Sequence, residues 1–405
     1  MTRFNQGPRW WRRSALLPAL VLVIGACGGT AATVAPSEAA SSAPSVAPSV
    51  EASAAPTSAS AAPAAMTVDE LIAASGITAD TSFCGTKPMK LGISDGGGIN
   101  GWSAASYAAV RSEAARCRNV TQVATAASFS IEKQLADIDS FVAQKFDAIV
   151  IIPDAGDTLA ALQGAHAAGL VVVPWASDPG GKPGTDYNNY VDWDTTDAGK
   201  TWADWMVKAL NGKGNVVFLG GFAGSAVGHQ ELDGINSVFG QNSGIKLLTG
   251  TTDFVPTNWD QATAQQAMTT LLNQYPQIDG VISNYDADAV GIIRAFQAAN
   301  RPLVPLTTLD SNKLGCDFAG LKAANPKFEM ITISSRNWLG RIAARKAIAA
   351  FEGVADTEPD SYKLPAFEDS LAGQAPQCDS AQGPDVFLSN KISADDLAKW
   401  GKVTD

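Results

Sequence analysis

The sequence predicts an α/β protein made of two doubly wound parallel-sheet lobes joined by a hinge. After Pro88, short β-branched or apolar runs alternate with longer helical patterns, which is typical of a parallel sheet covered by helices. A Gly-, Pro- and Asp-rich stretch between Pro174 and Asp194 interrupts this alternation once. The segment from Thr67 to Asp405 is also longer than a single core usually supports, so two lobes are expected.

The beginning of the chain predicts export. Residues 1–13 contain four arginines and no acid, and an apolar run follows from Ala15 to Ile24. That run is shorter than the about 20 residues that a membrane-spanning helix needs. It ends in small residues before Cys27, which resembles the lipobox of bacterial lipoproteins. We therefore expect residues 1–26 to be a lipoprotein signal peptide and Cys27 to carry the lipid that anchors the protein on the extracytoplasmic side of the cell membrane. An ordinary cleaved signal with an incidental cysteine is the alternative.

Residues 27–66 are expected to form a flexible tether. The stretch from Gly28 to Ala65 consists almost entirely of Ala, Ser, Pro, Thr and Val, with two charged residues and no aromatic one. Such a composition does not bury enough apolar surface to order itself. The whole chain has 40 acidic and 29 basic residues and a net charge of −11, which argues against a nucleic-acid partner.

The hydrophobic pattern, together with Asp, Ser, Thr and Asn residues in helix-capping positions, predicts the secondary structure. Strands are predicted at 89–94, 119–124, 147–152, 170–174, 214–219, 245–252, 279–283, 303–308 and 328–333. The clearest helices are predicted at 103–117, 130–145, 157–168, 195–210, 225–240, 258–275, 286–299 and 335–352. We assign residues 67–193 and 335–366 to an N-terminal lobe, and residues 194–334 and 367–405 to a C-terminal lobe that ends in a helix.

The four cysteines beyond Cys27 predict two disulfides, because an exported protein with an even number of cysteines usually pairs them. Three pairings are possible, and the order of the predicted elements favours Cys84 with Cys117 and Cys316 with Cys378. Free buried thiols are the alternative. These cysteines form no CxxC motif and have no histidine nearby, so we expect no metal site.

One segment formally matches a dinucleotide fingerprint. Gly96 to Gly101 reads GxGxxG after the first predicted strand, but the second strand does not end in the acid that this motif requires. We interpret the segment as a loop that brings Asn100 and Trp102 to a ligand. No cofactor is expected.

Hydrolase chemistry has little support in the sequence. The chain has two histidines, His166 and His229, and no Gly-x-Ser-x-Gly motif. Aspartates follow several predicted strands, but most are expected to cap the next helix, Asp154 included. Asp310 is the best functional candidate among them. We expect no enzymatic activity.

Aromatic placement is the most informative signal for function. Five tryptophans fall near predicted strand ends or in crossover loops: Trp102, Trp175, Trp193, Trp259 and Trp338. A flat ring can cover the C–H face of a sugar, while Asp, Asn and Arg groups bind its hydroxyls. Ligands of parallel sheets lie beyond the carboxyl ends of the strands, where these residues are expected.

The chain resembles the sugar-binding proteins of ABC transporters, in the ribose-binding-like group with the type I periplasmic fold. The resemblance runs from about Lys90 to Phe367. It is carried by the segments Asn258–Gln266, Ile278–Val281, Ala295–Ala299, Asp147–Pro153 and Lys213–Val217. The combination with Cys27 looks like a lipoprotein subgroup of that family.

The resemblance implies a monomer whose two lobes close over a ligand and deliver it to an ABC permease. The ligand-binding residues that the resemblance and the strand-end reasoning together suggest are Asn100, Trp102, Trp175, Ser177, Asp178, Asn284, Asp286, Asp310, Ser334 and Arg336. The family's Asp-Arg pair after the fourth strand aligns with Ala176-Ser177, its second-lobe arginine aligns near His229 to Glu231, and its last glutamine is replaced by Ser334. A sugar or polyol is the expected ligand; a nucleoside, a signalling molecule or an aromatic solute is the alternative.

Overall fold

The computed structural model describes residues 66–74, 80–98, 100–154 and 156–403. The predicted signal peptide, the lipidation site Cys27 and almost the whole tether lie outside these described residues.

The first lobe is built on a four-stranded parallel sheet with the strand order β2-β1-β3-β4. Its elements in chain order are α1 (Val68–Ala74), β1 (Met89–Asp95), α2 (Gly101–Ala114), β2 (Val120–Ala126), α3 (Ile131–Ala143), β3 (Ala148–Ile152), α4 (Leu159–Ala167) and β4 (Val171–Pro174). Every residue of β3 is buried, whereas exposure varies along the edge strand β2. Continuous burial is typical of a central parallel strand covered by helices on both faces.

The second lobe follows with a six-stranded sheet in the order β12-β10-β9-β8-β6-β7. The remaining elements of the chain, which build this lobe, the crossovers and the return to the first lobe, are β5 (Asp192–Trp193), α5 (Thr195–Ala209), β6 (Gly214–Leu219), α6 (Ala226–Phe239), β7 (Ile245–Leu247), α7 (Gln261–Gln274), β8 (Gly280–Ser283), α8 (Asp286–Ala298), β9 (Leu306–Leu309), α9 (Asn312–Ala324), β10 (Met330–Ile333), α10 (Leu339–Glu352), β11 (Ser361–Tyr362), β12 (Ala366–Asp369) and α11 (Ala394–Trp400). Two sheets of this kind confirm the predicted α/β fold with two lobes.

The chain passes between the lobes several times. After β10 it returns to the first lobe as α10, which packs against α2, β3 and β4. It then pairs β11 with β5 and enters the second sheet as β12, which is antiparallel to β10. The short β5–β11 ladder therefore joins the two crossover segments.

The C-terminal helix lies elsewhere than expected. We assigned residues 367–405 to the second lobe, but α11 packs against α2 of the first lobe. The guanidinium of Arg111 lies 5.2 Å from the ring centroid of Trp400, and its Nη1 donates to the Trp400 carbonyl at 3.1 Å. The contacts of this arginine hold the last helix on the first lobe.

The two disulfides have the favoured pairing. Cys84 is bonded to Cys117 with a Cα–Cα distance of 5.1 Å, and Cys316 is bonded to Cys378 with a distance of 4.5 Å. The second bond attaches the segment after β12 to α9 of the second lobe.

Two elements differ from the sequence expectation. The strand expected at 245–252 ends at Leu247, because the chain turns through Gly250 at φ +92°. Helix α9 was not among the clearest predicted helices, since glycines interrupt its pattern. The packing explains why a glycine stands at position 315, because a Cβ there would lie 1.7 Å from the carbonyl oxygen of Gln377.

Among the described residues, no helix has the length and apolarity needed to cross a membrane.

Candidate ligand-binding site

A cavity lies between the lobes, at the carboxyl ends of both sheets; its empty space, counted together with the solvent to which it opens, is about 490 Å³. The lining residues are Asp95, Gly97, Asn100, Trp102, Ser103, Phe129, Asp154, Val227, Glu231, Trp259, Asn284, Tyr285, Leu309 and Arg336. Both lobes and the crossover after β10 therefore contribute to one site.

Carboxylates come from the strand ends of the first lobe. Asp95 is the last residue of β1; its Oδ1 accepts from Gly97 N at 2.8 Å, and its Oδ2 has no hydrogen-bond partner among the described residues. Asp154 follows β3. An unpartnered carboxylate oxygen at a 2% exposed residue is costly unless a ligand hydroxyl or a water satisfies it. This oxygen is therefore a candidate acceptor for a ligand.

The second lobe contributes a hydrogen-bonded chain of three side chains. Asn284 Nδ2 donates to Glu231 Oε2 at 2.7 Å, and Trp259 Nε1 donates to Asn284 Oδ1 at 3.3 Å. The chain fixes the orientation of the Asn284 amide. Gly220 leaves room for it, because a Cβ there would lie 2.6 Å from the Asn284 side chain.

Aromatic rings meet across the opening between the lobes. Phe129 of the first lobe lies 6.2 Å from both Phe222 and Trp259 of the second lobe, measured between ring centroids. Phe129 has φ +60° and Trp259 has φ +51°. Bulky residues in this left-handed region cost about 1–3 kcal/mol each, and such strain is concentrated at functional sites. The rings are half-buried and available to cover an apolar ligand face.

Arg336 lies in the crossover and reaches the cavity between two tryptophans. Its guanidinium carbon is 4.3 Å from the Trp193 ring centroid and 5.3 Å from that of Trp102. Its Nη2 donates to the Ala176 carbonyl at 3.3 Å, and its Nε forms an ion pair with Asp192 Oδ1 at 3.4 Å. Stacking and pairing together fix the plane of this guanidinium.

Burial raises the pKa values of the cavity carboxyls. The pKa of Asp95 is raised to about 6 and that of Glu231 to about 8, in both cases mainly by desolvation. The pKa of Asp154 is raised to about 7 by desolvation and then by the charge of Asp95. Near neutral pH these groups exist in both protonation states, so they can accept and donate hydrogen bonds to hydroxyl groups.

Four of the residues expected to bind ligand line the cavity: Asn100, Trp102, Asn284 and Arg336. Asn100 is also the N-cap of α2, since its Oδ1 accepts from Ser103 N at 2.9 Å. Trp102 is stacked on Trp175 with ring centroids 6.1 Å apart.

The other six lie outside the cavity lining. Trp175 is 1% exposed behind Trp102, Ser177 is buried, and Asp178 is exposed and accepts from Gly180 N. Asp286 and Ser334 are buried.

Asp310 is also placed differently from the expectation. It is 1% exposed, and its carboxylate accepts from Ser335 N at 2.8 Å and from Ser389 N at 2.9 Å. With its oxygens occupied by the backbone, it supports the crossover instead of facing the cavity.

Sequence reasoning missed several lining residues. Asp154 was expected to cap a helix, which is wrong: α4 begins at Leu159 and its N-cap is Thr158. Its position after β3 was the available signal. Glu231 lies inside α6, where an acid normally indicates an exposed face, so the available signal was the resemblance, in which the family's second-lobe arginine aligns near His229 to Glu231.

Two α/β lobes with one cavity between them are the architecture of a two-lobed solute-binding protein. The sequence model of the periplasmic binding protein domain matches residues 93–355, more than half of the chain. The chain therefore belongs to the periplasmic binding protein family, as the resemblance implied.

Similar proteins bind sugars or polyols. The chain is 28% identical over 224 residues to the xylitol-binding protein of Mycolicibacterium smegmatis, a match that covers 53% of this chain and 62% of that protein, less than two thirds of its length. It is 28% identical over 234 residues to the galactofuranose-binding protein YtfQ of Escherichia coli, covering 56% of this chain and 72% of YtfQ. A Mycobacterium smegmatis structure in complex with β-D-fucofuranose superimposes with a TM-score of 0.60 at 22% identity, covering 70% and 93% of the two chains, and shows the shared fold.

Proposed function

We propose that the protein captures a small carbohydrate or polyol between its lobes and delivers it to the permease of an ABC importer. The observation that carries the proposal is the composition of the cavity, in which half-buried aromatic rings lie beside carboxyl, amide and guanidinium groups. Such a set suits a neutral ligand with C–H faces and many hydroxyls. The binding activities of the relatives support the same ligand class.

The proposed mechanism uses contacts from both lobes. Trp102 and Asp154 belong to the first lobe, and Trp259 and Asn284 belong to the second. A ligand that touches both sets stabilises the arrangement in which the lobes are close, and it does so only through contacts that the separated lobes lack. The permease would then recognise the ligand-bound arrangement.

A thermal-shift screen of the chain from Gly28 onward tests the proposal. Xylitol, myo-inositol, D-allose, L-arabinose and galactofuranosides would be compared with nucleosides and aromatic acids. A ligand at about 100 times its dissociation constant stabilises the folded state by about 2.7 kcal/mol. A response to sugars or polyols that Trp259→Ala abolishes supports the proposal. A response only to nucleosides or aromatic acids would show that the ligand belongs to one of those classes and not to the sugars. Turnover of a glycoside would contradict the binding function.

We also propose that the protein is anchored outside the cytoplasm by a lipid on Cys27. The small residues before this cysteine support lipidation, and membership in the periplasmic binding protein family supports an extracytoplasmic site. Metabolic labelling with a fatty acid should mark the full chain and not the Cys27→Ser variant. Equal labelling of both chains would refute the anchor.

A further inference from the structure

The segment at residues 387–392 crosses between the lobes beside the cavity; we name it the C-terminal strap. It follows the Cys316–Cys378 disulfide of the second lobe and precedes α11, which packs on the first lobe. The family match ends at residue 355, so the strap lies beyond it. Its central residues, Ser389 and Asn390, are buried although both are polar.

Ser389 bonds the strap to the second lobe. Its backbone N donates to Asp310 Oδ2 at 2.9 Å, and its Oγ donates to Asp310 Oδ1 at 2.7 Å. The same hydroxyl lies 2.8 Å from Ser334 Oγ. Ser334 Oγ in turn accepts from Arg336 N at 3.2 Å. The strap is therefore linked to Arg336 through one side chain.

Asn390 bonds the strap to the residues on both sides of Arg336. Its Nδ2 donates to Ser335 Oγ at 2.6 Å and to Asn337 Oδ1 at 2.7 Å, and its Oδ1 accepts from Trp338 N at 3.2 Å. Asn390 thus uses both donor hydrogens and its acceptor on one turn of the crossover.

The turn that the strap holds is strained and connects to the first lobe. Arg336 has φ +60°, a conformation that costs about 1–3 kcal/mol for a non-glycine residue and persists only when its surroundings enforce it. Asn337 Nδ2 donates to the Trp102 carbonyl, and Trp102 Nε1 donates to the Ser335 carbonyl, each at 2.8 Å. With the bonds of Ser389 and Asn390 included, every residue from 334 to 338 except Arg336 itself is hydrogen-bonded to the strap or to Asp310.

From this network we infer that the C-terminal strap positions Arg336 in the ligand cavity. Ser389 and Asn390 act as positioning residues, because neither lines the cavity while both hold the turn that carries the guanidinium. This inference rests on the proposed function, because it takes the guanidinium of Arg336 to contact the ligand. The C-terminal segment then determines ligand affinity from outside the site.

The first test needs no ligand. The guanidinium carbon of Arg336 lies 4.3 Å from the Trp193 ring centroid and 5.3 Å from that of Trp102, so ring currents should displace the NMR resonance of the Nε–H proton. The resonance is measured in the chain from Gly28 onward and is assigned by its loss in Arg336→Lys. Asn390→Ala should shift this resonance toward that of an exposed arginine, and Ser389→Ala should do so in part. Ser393→Ala, which removes only the N-cap of α11, is the matched control and should leave it in place.

The second test is a double-mutant cycle on affinity, with xylitol as the first probe and then the other sugars of the screen. Asn390→Ala should weaken binding about tenfold, the loss expected when one charge-assisted hydrogen bond is weakened. In the Arg336→Ala background the same substitution should change affinity less than about twofold, because its effect acts through the missing guanidinium. If Asn390 had only a structural role, Asn390→Ala would lower stability equally in both backgrounds. Its effect on affinity would then be the same with and without Arg336, and the cycle would be additive.

The outcomes separate the two proposals. An unmoved Arg336 resonance in both strap variants, or an additive cycle, overturns the positioning role while the sugar-binding function stands. If no sugar binds, the proposed function fails, and the Arg336 resonance still decides whether the strap positions this side chain. If Asn390→Ala does not fold, Ser389→Ala carries the same comparison.

Discussion

Glu231→Gln should stabilise the ligand-free protein at neutral and alkaline pH. Glu231 is 1% exposed, and burial raises its pKa from 4.5 to about 8. The folded state therefore favours the protonated carboxyl. The contribution of this carboxyl to stability is complete below pH 4.5 and is lost as the pH rises toward 8. Each pH unit in that window lowers the free energy of unfolding by about 1.4 kcal/mol, so by pH 7 the protein has lost about 3 kcal/mol of stability through this carboxyl.

Glutamine has the shape of the acid without its charge, and its Oε1 can still accept from Asn284 Nδ2. The assay is urea unfolding at pH 5 and pH 8 for the wild type, Glu231→Gln and Asp233→Asn. Asp233 is exposed on the same helix, so its substitution controls for removing an acid from α6. The wild type and the control should both lose about 3 kcal/mol or more relative to Glu231→Gln between the two pH values.

Other buried acids titrate in the same range, but they are common to all three proteins and cancel in the difference. Parallel stability curves for the wild type and Glu231→Gln would refute the reasoning, because the buried carboxyl would then carry no cost of ionisation. A stabilised variant with weaker sugar binding would show that Glu231 is retained for function at the expense of stability.

Three further outcomes are expected. Trp259→Ala should weaken sugar binding at least about tenfold by removing a half-buried ring, and calorimetry showing unchanged affinity would contradict its role. Replacing Cys316 and Cys378 together by serine should lower the free energy of unfolding by about 4 kcal/mol, because the bond closes a loop with a sequence separation of 62 residues; urea unfolding with no loss would exclude this contribution. Asp310→Ala should destabilise the fold by about 3 kcal/mol, since the buried amide of Ser389 loses its acceptor. Its affinity for sugar, measured well below the melting temperature, should fall less than that of Trp259→Ala.

The local pattern of the sequence determined most of the fold. Parallel strands buried on both faces need continuous apolar runs, and such runs as Ala148–Ile152 can be recognised without tertiary information. Parallel strands also require helical connections, so the alternation itself predicted the two sheets. The same reasoning placed Asn100, Trp102 and Asn284 at strand ends, where they line the cavity.

The tertiary structure decided which polar residues line the cavity. Asp310 and Asp154 both follow strands, but Asp310 accepts from the backbone amides of Ser335 in the crossover and Ser389 in the C-terminal strap, whereas Asp154 lines the cavity. That difference depends on where a segment distant in sequence lies. Glu231 reaches the cavity from inside a helix because α6 packs with this side toward Asn284. Local periodicity determines which elements form, since it depends on neighbouring residues; the partners of a buried polar group depend on contacts between segments far apart in the chain, and these only the folded arrangement determines.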